Sequence, residues 1–270
     1  MSECCGSSTG QPLVNLVDER DIKAAVRARY TQVATGETSC CGAPADQARA
    51  ERPRDYGYEL NILGDNVPTS VLDSFAGCGN PLAIDTLNPG EVVLDLGSGA
   101  GLDCFLAATK VGPEGHVIGL DMTDAMVEKA RMNQALLDLP HVEFRKGEME
   151  QMPIADASID VIISNCVINL SPDKDRVFAE AYRVLRPGGR LMVADIVTVG
   201  ELPTELRSTE AWTGCIGGAI PLDDYLSKLR AAGFSDVQVV DSREWQPLIL
   251  SAKIKAIKSA AVYTVDKSCV

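Results

Sequence analysis

From residue 90 onward, short apolar runs alternate with segments whose apolar positions recur every three or four residues. The first apolar run predicts a buried strand over 92–96, and further strands are predicted over 116–120, 142–146, 159–164 and 190–194. The amphipathic segments predict helices over 103–110, 125–136 and 174–185. Strands that alternate with helices predict an α/β fold, in which helices wrap a parallel sheet.

The pattern is less regular towards the N-terminus. Asp18 is a candidate cap for a helix that runs through Ile22 and Tyr30. Residues 35–54 are polar and rich in turn-forming types, so they predict a flexible loop.

Beyond residue 200 the chain has a different character. Residues 201–220 form a glycine-rich insert, and a helix is predicted over 223–232. Two further apolar segments, 237–240 and 248–257, predict an antiparallel pair of strands that closes the sheet.

Composition and charge narrow the range of partners. The chain has 270 residues, of which 46% are hydrophobic, and a formal net charge of −13. An acidic chain without runs of Lys or Arg is not expected to bind nucleic acid. No apolar run approaches the ~20 residues of a membrane span, and the N-terminus lacks the basic and apolar parts of a signal peptide. We therefore expect a cytoplasmic protein without a membrane partner.

A glycine-rich loop follows the first predicted strand and reads Gly-Ser-Gly-Ala-Gly over 97–101. Glycines let the backbone approach a ligand closely. Asp121 ends the second predicted strand, where a carboxylate can accept hydrogen bonds from both hydroxyls of a ribose. These features predict an adenosyl cofactor. The glycine spacing differs from that of dinucleotide binders, and no residue motif for hydride transfer is evident, which disfavours a nicotinamide dehydrogenase.

Cysteine is the second chemical signal. The chain has nine cysteines and two histidines. An odd number of cysteines in a cytoplasmic protein argues for free thiols, and the absence of Cys-x-x-Cys pairs disfavours structural zinc. Cys104, on a predicted helix that faces the sheet, is expected to act as a small buried hydrophobic residue.

Three other cysteines lie in sequence contexts typical of turns. Cys78 stands between two glycines ahead of the first strand, Cys166 follows the fourth strand, and Cys215 lies in the glycine-rich insert. Ligands of open α/β sheets bind outside the carboxyl ends of the strands, so we expect these thiols to converge there. Thiolates prefer soft metals and metalloids, which predicts a thiophilic substrate.

The ordered motifs resemble those of the class I S-adenosylmethionine-dependent methyltransferases. They are VLDLGSGAGLD (93–103), GLDMT (119–123), GEME (147–150) and RPGGRL (186–191). The resemblance implies a Rossmann-like seven-stranded sheet, mostly parallel with an antiparallel last strand. It also implies that the loop passes under the methionine part of S-adenosylmethionine, that Asp121 holds the ribose, and that Met149 and Glu150 flank the adenine. The expected cofactor-binding residues are Tyr58, Asp95, Gly97, Ser98, Gly99, Gly101, Asp121, Met122, Met149, Glu150 and Asn165.

Within that superfamily, the cysteine motifs resemble those of bacterial arsenite methyltransferases. The motifs are AGCGNP (76–81), SNCVINL (164–170) and GCIGGA (214–219). The resemblance implies that Cys78, Cys166 and Cys215 bind arsenic as the substrate, and that Cys78 cycles through a disulfide with Cys40 or Cys41. It further implies arsenite or its glutathione conjugate as substrate, and glutathione or thioredoxin as the thiol reductant. The implied organisation is an N-terminal tail, helix and cysteine-bearing loop (1–57), a cofactor-binding α/β domain (58–200), and a substrate-covering insert with closing strands (201–270).

Two alternatives remain open at this point. The chain could be a class I methyltransferase of a small organic substrate whose cysteines are incidental, or a metalloid-binding protein without turnover. If the substrate is organic, serine substitution of Cys166 or Cys215 should leave the activity intact. If the protein only binds metalloids, arsenite should bind without formation of S-adenosylhomocysteine.

Overall fold

The computed structural model describes residues 19–37, 53–63, 67–203 and 206–260. The strands are β1 (Val92–Leu96), β2 (His116–Asp121), β3 (Val142–Lys146), β4 (Ile159–Asn165), β5 (Leu185–Thr198), β6 (Ser235–Gln246) and β7 (Ile249–Ile257). The helices are α1 (Glu19–Thr35), α2 (Thr69–Asp73), α3 (Leu102–Val111), α4 (Asp124–Leu137), α5 (Lys174–Val184), α6 (Thr209–Thr213) and α7 (Leu222–Ala231). Among these described helices, none combines the length and the apolar character needed to cross a membrane.

The seven strands form one sheet in the order β3-β2-β1-β4-β5-β7-β6. The pairs from β3 across to β5 are parallel, and β7 runs antiparallel to both β5 and β6. The predicted fold class is therefore confirmed. Strands β6 and β7 belong to the same sheet as β1 to β5. The predicted division of the chain at residue 200 therefore stays a prediction about which segment covers the substrate.

Helices cover both faces of the sheet. Val93 of β1 packs with α3 and α4 on one face, whereas its neighbour Leu94 packs with α5 and α7 on the other. Because successive side chains of a strand point to opposite faces, a strand buried on both sides has a continuous apolar sequence. This is why β1 and β4 are mostly apolar instead of alternating between apolar and polar residues.

The main difference from the predicted elements is the length of β5, which spans Leu185–Thr198 instead of 190–194. Its first residue pairs with Ile159, but the register shifts before Arg190 pairs with Val161. From Arg190 to Thr198 the strand also pairs with β7. That ladder joins segments about 60 residues apart in the chain, so local sequence patterns do not reveal how far β5 extends.

Gly101, at the start of α3, is required by packing. Its φ of +98° is in the left-handed region, and a Cβ there would lie 2.7–2.8 Å from the rings of Phe105 and Phe144. Gly90 also has a positive φ, but a Cβ there would meet nothing within 4 Å. Both alanine variants incur the backbone strain, and only Gly101→Ala adds overlap with buried rings.

We therefore expect Gly101→Ala to lower the free energy of unfolding by roughly 2–4 kcal/mol, and Gly90→Ala by about 1 kcal/mol. Urea unfolding followed by circular dichroism measures both. Equal losses in the two variants would show that the rings move aside and that crowding at Gly101 has no cost.

Candidate active site

A cleft of about 990 Å³, its open mouth included, lies beyond the carboxyl ends of the central strands. Its base is the glycine loop between β1 and α3, and its sides come from the segments that follow β2, β3 and β4. The lining residues that the sequence predicted for a cofactor are Gly97, Ser98, Gly99, Asp121, Met122, Met149, Glu150 and Asn165. The position of the cleft agrees with the rule for open α/β sheets.

The glycine loop is held to the end of β2 by hydrogen bonds. The backbone N–H groups of Gly97 and Ser98 donate to Leu120 O at 2.8 and 3.0 Å. Asp121 accepts from Gly99 N through Oδ2 at 3.0 Å and from Thr123 N through Oδ1 at 2.8 Å. Each carboxylate oxygen has further acceptor capacity, so Asp121 both orders the loop and can accept from a ligand hydroxyl.

Several observations fit S-adenosylmethionine to this cleft. A Cβ on Gly99 would meet nothing within 4 Å, so the loop leaves space where a ligand can approach the backbone. Ser74 Oγ and Ser98 Oγ are buried without a hydrogen-bond partner among the described residues, and both residues line the cleft. Asp103 and Asp121 also line it, and their carboxylates suit a ligand that carries positive charge.

Three predicted cofactor residues lie behind the cleft instead of lining it. Tyr58 is buried and donates a hydrogen bond of 2.6 Å to Asp103 Oδ1. Asp95 is buried in β1, and its Oδ2 accepts from the Cys104 thiol at 3.2 Å. Gly101 begins α3 and contacts ring edges. A direct contact of these three with the cofactor stays a prediction; in this structure they support the residues that form the cleft.

The three thiols predicted to converge do come together. Cys78, Cys166 and Cys215 belong to one buried cluster at the end of the cleft, and all are free thiols with at most 5% of their surface exposed. Cys166 also lines the cleft. Cys166 and Cys215 have φ values of +60° and +68°, an uncommon conformation for residues other than glycine. Strained backbone of this kind often occurs at functional sites.

Cys166 is the central member of the thiol cluster. Its thiol interacts with the thiols of both Cys78 and Cys215. Cys215 Sγ also donates to the Cys166 carbonyl at 2.8 Å, and Cys78 Sγ donates to Ala194 O at 3.7 Å. Cys166 is therefore the thiol with which both other cysteines interact.

Burial keeps these thiols protonated. It raises the pKa of Cys78, which the thiol of Cys166 opposes only in part. Interaction with Cys215 lowers the pKa of Cys166, but the Cys78 thiol and burial raise it to well above its ordinary value. Interaction with Cys166, and then burial, raise the pKa of Cys215 strongly. Since none of the three is an isolated thiolate, the site favours reactions in which the thiol proton leaves with another group.

Asp195 was not predicted as a site residue, yet it lies against the thiols. One of its oxygens and the sulfur atoms of Cys78 and Cys166 all lie within 4.8 Å of one another. Asp195 is fully buried, and its carboxylate accepts from Ile196 N at 3.0 Å and from the Tyr225 hydroxyl at 3.3 Å. Burial raises its pKa to about 7, although the charge of Lys174 opposes the rise. The sequence contained one signal for this residue, because Asp195 is an acidic residue directly after the predicted strand 190–194.

Helix α1 covers both the cleft and the thiols. Lys23, Val26 and Tyr30 line the cleft. Lys23 Nζ pairs with Glu148 at 2.8 Å and with Glu150 at 3.1 Å. Further along, the Tyr30 hydroxyl lies 4.0 Å from Cys215 Sγ. The sequence predicted this helix but not its position, because amphipathicity does not tell which surface a helix covers.

The remaining cysteines divide into two groups. Cys104 is fully buried on α3, as expected for a structural thiol. Cys40 and Cys41 lie outside the described residues, as does Asp18, so the predicted disulfide with Cys78 stays a prediction.

Trp212 of the insert donates from Nε1 to Leu170 O at 3.2 Å and thus fixes α6 beside the thiol site.

Comparison with known proteins agrees with this geometry. Residues 87–253 match the family model described as "Methyltransferase domain". An arsenite methyltransferase of Halobacterium salinarum is 44% identical in an alignment of 254 positions that covers 90% of this chain and 64% of that protein. The chain spans between about half and two thirds of the length of the arsenite methyltransferases it matches.

Solved structures give a consistent result. The crystal structure of an arsenic(III) S-adenosylmethionine methyltransferase from Chlamydomonas reinhardtii aligns with a TM-score of 0.65 and 37% identity, covering 80% of this chain and 74% of that one. A phosphoethanolamine N-methyltransferase of Haemonchus contortus in complex with S-adenosyl-L-methionine aligns with a TM-score of 0.57 at 17% identity, covering 80% of this chain and 60% of that one, and so shares the fold.

The raised pKa of Asp195 makes stability depend on pH. The folded carboxyl, with a pKa of about 7, binds a proton that the unfolded chain has already lost. Its contribution to stability is therefore present in mild acid and is lost as the pH rises through 7. Asp195→Asn removes this titration and keeps an acceptor for Ile196 N.

From pH 6 to pH 8 we expect the native protein to lose about 1 kcal/mol of stability relative to Asp195→Asn. Denaturant unfolding of both proteins at the two pH values measures this difference. A difference that stays constant with pH, or that changes in favour of the native protein, would contradict this assignment.

Proposed function

The chain belongs to the arsenite S-adenosylmethionine methyltransferases, within the methyltransferase-domain family, and on this premise we propose that it transfers a methyl group from S-adenosylmethionine to thiol-bound trivalent arsenic. The observation that carries the proposal is the position of Cys166. This residue lines the cofactor cleft and also contacts the other two thiols of the buried cluster. Arsenic bound to Cys166 would therefore lie next to a cofactor in the cleft.

Neutral, buried thiols suit the binding of arsenite. Arsenite carries three hydroxyl groups, and each can be exchanged for a cysteine sulfur with release of one water molecule. The thiol proton leaves with the hydroxyl oxygen, so three As–S bonds form and three waters depart without a net transfer of protons to the protein. The raised pKa values of the cysteines are therefore compatible with binding, and soft sulfur ligands favour arsenic over hard cations.

The cofactor would be held by the glycine loop, by Asp121, and by the unpartnered hydroxyls of Ser74 and Ser98. When bound, S-adenosylmethionine would supply a methyl group from a cationic sulfonium. The electron pair of the broken C–S bond would stay on sulfur, and the arsenic lone pair would form the As–C bond. The carboxylates of the cleft complement the positive charge. Burial of the thiol cluster excludes water from the path between the two groups.

The role of the three cysteines is to orient arsenic. Three sulfur ligands on one side leave the arsenic lone pair on the other, and a fixed cluster fixes its direction. Holding both reactants in one site replaces a bimolecular encounter by an oriented one, which accelerates many reactions strongly. No general base is needed, because arsenic bound to thiolates has no proton to lose.

Methyl transfer raises arsenic formally from the trivalent to the pentavalent state, so two electrons must be returned before another cycle. We propose that thiols supply them, first as cysteines of the protein that form a disulfide, and then as glutathione or thioredoxin. Cys78, with Cys40 or Cys41, is the proposed redox pair. Arsenite or its glutathione conjugate is the proposed substrate. Free thiols persist in reducing compartments, so the proposed location is the cytoplasm.

Cys166→Ser tests the thiol site directly. An alcohol oxygen is a hard, weak ligand for arsenic, so the variant should lose at least about 100-fold in the rate of arsenite methylation. Cys104→Ser is the matched control, because Cys104 is equally buried but bonds to Asp95 outside the cluster. It should stay within about threefold of the native rate. Methylated arsenic is quantified by liquid chromatography and mass spectrometry. Unchanged arsenite methylation in Cys166→Ser would contradict the proposed thiol site.

Asp121→Asn tests the cofactor site. The amide offers one acceptor oxygen where the carboxylate uses two, so one of its two backbone contacts is lost along with the charge. We expect the dissociation constant of S-adenosylhomocysteine to rise by about 10-fold or more, as for loss of a charged hydrogen bond. Asp124→Asn is the control, since Asp124 is exposed and forms an ion pair with Lys146. Isothermal titration calorimetry measures both; a change below twofold in Asp121→Asn would rule out the assigned role.

A further inference from the structure

The side chain of Asn165 reaches from the end of β4 to the turn that carries Cys78. Its Oδ1 accepts from the backbone N–H of Cys78 at 3.1 Å and from that of Gly79 at 3.3 Å. Its Nδ2 donates to Gly79 O at 3.1 Å. One amide therefore holds three backbone groups of this turn. The turn and Asn165 lie 87 positions apart in the chain.

The Asn165 amide also contacts Tyr58 and Asp103. Its Nδ2 lies 2.9 Å from the Tyr58 hydroxyl and 3.2 Å from Asp103 Oδ2. The Tyr58 hydroxyl in turn donates to Asp103 Oδ1 at 2.6 Å. Both oxygens of Asp103 are thus engaged, and the amide oxygen of Asn165 is directed towards the Cys78 turn. The Tyr58–Asp103 pair that contacts the amide is buried, and together these hydrogen bonds favour one orientation of the Asn165 side chain.

The glycines of the turn permit this close contact. A Cβ on Gly77 would overlap the amide nitrogen of Asn165, so a larger residue would lift the turn off the amide. On the opposite side, the Ser251 hydroxyl donates to Cys78 O at 2.9 Å. A Cβ on Gly79 would come within 2.8 Å of Ala194 Cβ. The turn is therefore fixed between β4 and the neighbouring strands β5 and β7.

We propose that Asn165 is a positioning residue for arsenic binding, because it holds the Cys78 thiol beside the thiol of Cys166. The role rests on the proposed function, and it is distinct from the cofactor contact that the resemblance implies. Asn165 and Cys166 are consecutive, so the end of one strand sets the positions of two of the three thiols. Without the amide, Cys78 must be ordered at the moment of binding, and that ordering weakens affinity.

The first experiment measures arsenite affinity of the reduced protein without cofactor, so that a cofactor contact of Asn165 has no influence. We expect Asn165→Ala to raise the dissociation constant of arsenite by about 10-fold or more. Asn165→Asp keeps an acceptor for the N–H groups of Cys78 and Gly79 and should lose less. Cys104→Ser should bind arsenite like the native protein. Affinity of Asn165→Ala equal to that of the native protein would overturn the proposal.

The second experiment is independent of arsenic. Native protein and Asn165→Ala are treated with a thiol-alkylating reagent, and the modified cysteines are mapped by mass spectrometry over time. Cys78 is 2% exposed in the structure, so the native rate is low. In Asn165→Ala we expect Cys78 to react about 10-fold faster while Cys104 stays protected. If Cys104 also reacts, the variant has lost its fold, and the volume-conserving Asn165→Asp replaces it in the same test. Because that variant keeps the acceptor and loses only the donor to Gly79 O, we then expect a smaller rise in the reactivity of Cys78.

The two experiments separate the failure of the inference from that of the proposed function. A native protein that does not bind arsenite refutes the proposed function, while alkylation of Cys78 still tests its positioning by Asn165. A native protein that binds arsenite, combined with unchanged affinity and unchanged Cys78 protection in both Asn165 variants, refutes the positioning role and leaves the function intact.

Discussion

The arrangement of this site depends on one constraint, which is the burial of three thiols at the carboxyl end of a parallel sheet. Thiols are small and weakly polar, so the protein can bury them without the large desolvation cost of charged ligands. Cys78, Cys166 and Cys215 come from three separate segments, and each needs a turn that directs the thiol inwards. The positive φ angles at Cys166 and Cys215, and the glycines on both sides of Cys78, meet this need.

The same edge of the sheet holds the cofactor cleft, and the two sites share elements instead of being assembled separately. The end of β4 provides Asn165 and Cys166, which both line the cleft. Helix α1 reaches the acidic side of the cleft through Lys23 and the thiols through Tyr30. Because the same elements form the cleft and the thiol cluster, the proposed methyl donor and thiol-bound acceptor would be held next to each other by the fold.

Much of this arrangement could be predicted from the sequence, and the limits have physical reasons. The strand at 92–96 matches the structure because a parallel strand buried on both faces is mostly apolar. The edge strand at 142–146 also matches, and its apolar and polar residues alternate. The convergence of the cysteines followed from the rule that ligands bind at the carboxyl ends of strands. By contrast, the place of Asp195 beside the thiols, the position of α1 over the cleft, and the contact of Asn165 with the Cys78 turn depend on packing between distant segments. No local pattern encodes such contacts. The predicted contacts of Tyr58 and Asp95 with the cofactor came from motif position alone, and the structure places both side chains behind the cleft.

The most direct test of the account is to mix the purified, reduced protein with arsenite, S-adenosylmethionine and glutathione, and to determine arsenic species and S-adenosylhomocysteine together by mass spectrometry. The account predicts methylated arsenic, with one S-adenosylhomocysteine formed for each methyl group transferred. Intact binding of S-adenosylmethionine with no methylated arsenic, while arsenite remains bound to the thiols, would contradict it and would identify the cluster as a site of metalloid capture only.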